Sequence, residues 1–205
     1  MKVLNPIRGG QRKRDGGFSL TELVVAMAVA LVLIGIGMPA FLRAYHAYQL
    51  SNAASQMADI LRFTRYEAIR MNTQLNCQIQ PYPGDPTMTS VWADANKNNQ
   101  LDTTEQQILL GSGGNLVDPG SVPGGAALIA AANISSATTT PPATGTAIGF
   151  DSRGAVLPLN APSVYLFYLA SINGPEAGYR AVLLMPAGSI QVWTGDLNGN
   201  WQQVR

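Results

Sequence analysis

Gly16-Gly17-Phe18-Ser19-Leu20-Thr21-Glu22-Leu23 is the stretch on which the reading of this chain turns. Before it stand Lys2, Arg8, Arg12, Lys13 and Arg14; after it, from Leu23 to Leu42, run 20 residues without a charge. As a helix those residues extend about 30 Å, enough to cross the hydrocarbon core of a bilayer. The A-x-A series near the N-terminus (Ala26, Ala28, Ala30) falls inside the apolar run and not after it, so ordinary secretory cleavage is not expected. The positive-inside bias places the basic leader in the cytoplasm and everything past Leu42 on the outer side of the membrane.

Glu22 is the anomaly in that pattern. A lone carboxylate in an apolar membrane helix costs about 2.5–3.5 kcal/mol on insertion scales. Two readings follow: an interfacial Glu at a helix N-terminus, where the helix dipole favours negative charge, or a carboxylate that meets a cationic partner.

Gly17-Phe18-Ser19-Leu20-Thr21-Glu22-Leu23 closely resembles the class III signal of type IV pilins and type II secretion pseudopilins, G-F-[ST]-L-x-E-[LVM]. The resemblance implies that a prepilin peptidase cuts between Gly17 and Phe18 and that the new Phe18 amine is N-methylated. It implies that the helix stays in the mature protein and that Glu22 neutralises the N-terminal amine of a neighbouring subunit during assembly. A carboxylate in a low-dielectric helix bundle needs a cation, and the freed terminus supplies one. The implied fold is α+β and type IV pilin-like, a long N-terminal helix packed on an antiparallel β-sheet domain. Residues 1–17 form the leader, 18–42 the membrane and assembly helix, 43–75 its amphipathic continuation and 76–205 an extracytoplasmic β domain.

Loss of the leader changes the charge balance. The whole chain holds 13 basic and 12 acidic residues, net +1; taking away five basic and one acidic leaves eight and eleven, net −3. Bulk charge therefore argues against nucleic-acid binding, which needs a local excess of Lys and Arg. At 205 residues and 12% charged, rich in Gly, Pro, Ala, Thr and Asn, the chain suits one modest domain on a helical stalk. The single Cys77 reads as a small buried apolar residue.

Beyond the membrane segment, Leu50, Ala53, Ala54, Met57, Ile60, Leu61, Thr64, Ala68, Met71 and Leu75 recur at spacings of three and four. Asp59, Arg62, Arg65, Glu67 and Arg70 lie mostly off that stripe, as in an amphipathic helix. Their interleaved signs make the arginines a solvated polar face in preference to a DNA-binding one. Pro39 removes one backbone hydrogen bond and is expected to bend the helix. The lone His46, between Tyr45 and Tyr48, reads as part of an interfacial aromatic belt with no second ligand nearby.

From Leu75 the period changes to that of strands. Strands are expected at Leu75–Gln80, Ser90–Ala93, Gln106–Leu110, Thr146–Phe150, Val164–Ala170, Tyr179–Met185 and Ser189–Trp193, with residues 111–144 a long loop holding at most one short strand. Arg65–Asn72, Trp92–Glu105 and Phe150–Gly154 are similar to segments of the GspH/FimT branch of minor pilins and pseudopilins.

Asp94, Asn96, Asn98, Gln100, Asp102 and Glu105 fall at positions 1, 3, 5, 7, 9 and 12 of a calcium loop, with Asn99 where the turn glycine belongs. Weak calcium binding and an Asx-rich hairpin turn without metal both fit. DNA-uptake members of the branch carry a C-terminal G-R-x-R-like element; the matching Pro186–Val192 has neither arginine. Trp193 and Trp201 flank a tight turn, as a contact surface or as a hairpin closed into the core. One Cys, one His and no triad, paired carboxylates or phosphate loop argue against an enzyme. The implied function is a minor pilin or pseudopilin that primes or caps a type II secretion pseudopilus or a type IV pilus. Its expected partners are other pilin subunits, prepilin peptidase and, before assembly, membrane lipid. The alternative is a pilus-tip binding subunit, an adhesin or DNA-uptake receptor.

Overall fold

A computed structural model describes residues 18–111, 113–134, 138–139, 145–157 and 164–204, so the leader expected at 1–17, with Gly17, lies outside the described residues. The chain divides into two compact units, residues 1–40 and Phe41–Arg205. Helix α1 (Leu20–Arg70) includes Pro39 inside its span. Among the described residues ten strands and a second helix follow: β1 (Leu75–Tyr82), β2 (Asp85–Asp94), β3 (Gln107–Leu110), β4 (Asn115–Leu116), α2 (Gly125–Ala131), β5 (Thr138–Thr139), β6 (Thr146–Phe150), β7 (Tyr165–Ala170), β8 (Tyr179–Leu184), β9 (Ile190–Gly195) and β10 (Trp201–Gln203).

In the first unit the opening of α1 buries nothing. Every side chain from Phe18 to Ala40 is exposed, and α1 holds a window long and apolar enough to cross a membrane.

In the second unit α1 buries the stripe Leu50, Ala53, Ala54, Met57, Ala58, Ile60, Leu61, Thr64 and Ala68, the face its three-and-four spacing dictates. The helix was expected to run on to residue 75 but ends at Arg70. Asn72 takes a left-handed conformation (φ 48°), and its N–H reaches Ile69 O at 3.1 Å while Thr73 N–H reaches Ala68 O at 3.1 Å. These are the two bonds of a Schellman motif, with Asn in the place of the usual Gly. Leu75 then opens β1.

Two sheets supply the rest of the domain. The first has the order β3-β2-β1-β6, all antiparallel. The second has the order β10-β9-β8-β7-β4, also antiparallel, with β5 added in parallel against β7. Pro81 extends β1 past its expected stop, because by then β1 has passed the end of its pairing with β6 and its register against β2 shifts at Pro81/Tyr82.

One core packs the Leu50–Ala68 stripe of α1 with Leu75, Cys77 and Ile79 of β1, Val91 and Ala93 of β2, Ile148 and Phe150 of β6, Tyr165, Phe167 and Leu169 of β7, and Val182 and Leu184 of β8. The alternate residues of β7 and β8 (Leu166, Tyr168, Ala181, Leu183) face a second core with Trp193, Trp201 and Leu128 of α2. Both faces of these strands are covered, which is why they read as nearly continuous apolar runs, broken only by Arg180.

The expected loop at 111–144 is corrected by this second core. It contains β4, a 3-10 turn at Pro119–Ser121, α2 and β5. Gly125-Ala126-Ala127-Leu128-Ile129-Ala130-Ala131 is composed mostly of good helix formers, and Leu128 is fully buried. Gly124 begins α2 with φ 70°, and a Cβ there would meet the carbonyl oxygen of Gly199 at 2.2 Å. Only glycine permits that approach to the β9–β10 turn.

Candidate functional site

The signal segment sits at the start of α1. Phe18 is 82% exposed and lies outside the helix, as does Ser19. Ser19 Oγ accepts the Glu22 N–H at 3.2 Å, and Ser19 O accepts the Leu23 N–H at 3.1 Å. Ser19 is thus the N-cap and Glu22 the third residue of the helix, the S-x-x-E spacing of a capping box. That spacing is written in the sequence and names Ser19, which the reading of Glu22 alone had passed over. Glu22 is exposed in the first turn, where the helix dipole favours its charge.

The Asp94–Glu105 segment closes on itself. Asp94, fully buried, accepts the N–H groups of Asn98 at 3.1 Å and Asn99 at 3.0 Å, and Gln78 Nε2 at 3.3 Å. Glu105 accepts Ala95 N–H at 3.0 Å through one oxygen and Asp102 N–H at 3.2 Å through the other. Asn96 and Asn98 turn their Nδ2 donors to Asp102 Oδ2, at 2.6 and 2.9 Å, and Gln100 gives its backbone N–H to Asn98 Oδ1 at 2.7 Å. Asn99, at the glycine position, adopts φ 57°. Calcium requires six or more oxygens turned inward, whereas here the carboxylates receive N–H donors. Among the described residues no three His, Cys, Asp or Glu side chains are grouped to hold a metal ion.

Arg62, Arg65 and Arg70 of α1 are engaged within the domain. Arg62 pairs with Asp59 at 2.8 Å, and Arg70 pairs with Glu67, holding the Glu67 carboxyl below its ordinary range. Arg65 donates to Gly154 O at 2.9 Å and to Ala187 O at 3.4 Å, tying the helix to two turns. Arg180, 7% exposed, donates to Ser51 Oγ, Ala177 O and Tyr179 O. No carboxylate among the described residues pairs with it.

His46 has a partner that its surroundings in sequence did not suggest. Its Nδ1 lies 2.9 Å from Oε1 of Glu176, 130 residues away, in the 3-10 turn Pro175–Ala177. Trp193 and Trp201 are 6% and 8% exposed and close their hairpin into the second core. That turn is held by Asp196, which accepts Asn200 Nδ2 at 2.7 Å and the N–H groups of Asn200 and Asn198 at 2.8 and 2.9 Å. A groove beside β3, lined by Gln56, Asp59, Ile60, Phe63, Gln106 and Ile108, holds one carboxylate and no nucleophile–base pair.

Residues 12–38 match the family model described as the prokaryotic N-terminal methylation motif. No curated protein and no solved structure matches the chain. The match covers Arg12 to Arg14, the Gly17–Phe18 junction, Glu22 and the apolar run as far as Met38, and the chain has the α+β layout of a long helix on antiparallel sheets. The chain thus carries the N-terminal methylation signal over residues 12–38 and an α+β layout like that of a type IV pilin, with an N-terminal helix long and apolar enough to cross a membrane.

Proposed function

We propose that the protein is a minor pilin or pseudopilin of the GspH/FimT branch, a structural subunit that primes or caps a type II secretion pseudopilus or a type IV pilus. Prepilin peptidase cuts between Gly17 and Phe18, and the Phe18 amine is methylated. The domain lies on the periplasmic side and sits at the filament tip after assembly. The observation that carries this reading is the methylation motif at residues 12–38 joined to an apolar helix segment with no buried side chain. Such a surface is stable only in lipid or against other helices. Neighbouring pilin helices replace lipid there, and Glu22 meets the terminal amine of the next subunit.

Glu22→Ala tests the assembly role. The variant is expected to be cut at the same bond and to remain in the membrane without entering filaments. Normal incorporation would remove Glu22 from the assembly contact.

The competing reading, a tip subunit that captures DNA, has less support. Arg62, Arg65 and Arg70 are bonded within the domain, and Arg180 is buried. Phosphate binding needs such groups free. A mobility-shift assay on residues 41–205 at physiological salt is expected to show no saturable binding, and saturable binding would favour the tip-receptor reading.

A further inference from the structure

We propose that Phe41, Tyr45 and Tyr48 form a lipid-contact ridge on α1, seated among the phospholipid headgroups, and that this ridge sets the depth at which the domain stands on the membrane before assembly. The inference rests on the reading that the apolar run of α1 crosses the bilayer.

The place of these residues along the chain comes first. Leu23–Leu42 extends about 30 Å, the thickness of the hydrocarbon core, so the residues that follow it emerge at the level of the headgroups. Arg43 is the first charge after Glu22, and no Asp or Glu follows in the chain until Asp59. Its exposed guanidinium complements the lipid phosphates, with the apolar stem laid along the acyl chains. Glu176, the carboxylate that feels the Arg43 charge, is already bonded to His46.

Tertiary packing then sorts the rings. Phe41, Tyr45 and Tyr48, spaced four and three, share one face of α1 and are 65%, 48% and 71% exposed. The Phe41 and Tyr45 rings stack with 6.5 Å between centroids. His46 and Leu50 turn elsewhere, His46 to Glu176 and Leu50 into the core. A Cβ at Gly174 would run into the His46 ring, so the domain closes that side of the helix. His46 is thereby withdrawn from the aromatic belt expected around it, and the two tyrosines stay in it. What is left uncovered is an aromatic surface with two phenolic tips, which suits a zone apolar on one side and wet on the other. It follows directly in sequence on the uncovered apolar run, so lipid that covers the run continues onto the ridge.

The experiment places one nitroxide at a time, through Leu33→Cys, Ala44→Cys or Ser55→Cys, in the full chain reconstituted in phosphatidylethanolamine–phosphatidylglycerol vesicles. All three positions are exposed, and the buried Cys77 stays unlabelled. Collision with oxygen, which dissolves in hydrocarbon, is compared with collision with a nickel chelate, which stays in water. Leu33 is expected to report the hydrocarbon core, Ala44 the headgroup level and Ser55 water. Adding Tyr45→Ser and Tyr48→Ser should shift the Ala44 label towards water, and Tyr45→Trp with Tyr48→Trp should leave it in place. An Ala44 label as wet as Ser55, or as deep as Leu33, overturns the inference and leaves the membrane reading standing. An Ala44 label unmoved by the serine pair also overturns it, the depth then being set by the apolar run alone. Dipolar broadening at Ala44 that survives dilution with lipid overturns it in favour of a second copy on the ridge. A Leu33 label outside the hydrocarbon overturns the membrane reading and this inference together.

Discussion

Cys77 and His46 show how much a single residue owes to its surroundings. Burial pushes the Cys77 thiol up to about 12, with a hydrogen bond to Thr64 lowering it only in part. Below that pH the group stays protonated, and the thiolate is the reactive form. A thiol reagent at pH 8 is expected to leave the native domain unlabelled and to label one site once denaturant is added; labelling of the native domain at the rate of a free thiol would contradict the burial. At His46 the effect is electrostatic. The hydrogen bond from His46 holds the Glu176 carboxyl below its ordinary value of 4.5, with Arg43 adding a weaker pull in the same direction. A depressed carboxyl stabilises the fold above its unfolded pKa and loses that contribution as pH falls through the folded value. His46→Gln should therefore lower the melting temperature slightly at pH 6–7, and the difference from wild type should shrink below pH 4. A gap that widened in acid would refute the sign. Cys77 could be read from its apolar neighbours in β1, but Glu176 could not, because 130 residues separate it from His46.

At the scale of elements, the Asp94–Glu105 loop and α2 diverge from local reading in opposite ways. The loop has ligand spacing, and its oxygens are turned to the protein's own amides. Asp94→Ala would leave the N–H of Asn99 without its acceptor and take one of two acceptors from the N–H of Asn98 and from the amide of Gln78. The cost should be about 1–3 kcal/mol, the penalty of taking a buried acceptor from its donors. Urea unfolding of residues 41–205 measures it, and a loss under 0.5 kcal/mol by that measure would show the carboxylate to be dispensable, set against the order of ~1 kcal/mol for one ordinary hydrogen bond. Millimolar calcium is expected to leave the stability of wild type unchanged; a clear stabilisation would restore the metal reading. Helix α2 was missed because a Gly- and Ala-rich stretch lacks the large apolar repeat that marks an amphipathic helix. Its Leu128 acquires a purpose only against the outer face of β7 and β8. The end of α1 was misplaced by five residues for a related reason: Met71 and Leu75 keep the helical spacing, and only the left-handed Asn72 breaks it.

For the whole molecule, the division into residues 1–40 and Phe41–Arg205 separates what lipid or other subunits must cover from what covers itself. Residues 41–205 alone are expected to be soluble and to unfold cooperatively, while the full chain partitions into detergent; aggregation of the fragment in water would show that its core depends on the N-terminal unit. The sequence by itself determined the signal, the uncharged helix and most strands, since each is a periodicity or spacing legible within a few neighbouring residues. Only the tertiary structure decided which polar groups remain free. Arg65 is consumed by Gly154 and Ala187, 89 and 122 residues distant, and only glycine can stand at 188, because a Cβ there would meet Gly154 O at 2.2 Å. Such pairings depend on where loops close and leave no period along the chain, so a solvated basic face and an internal set of ties have the same local pattern.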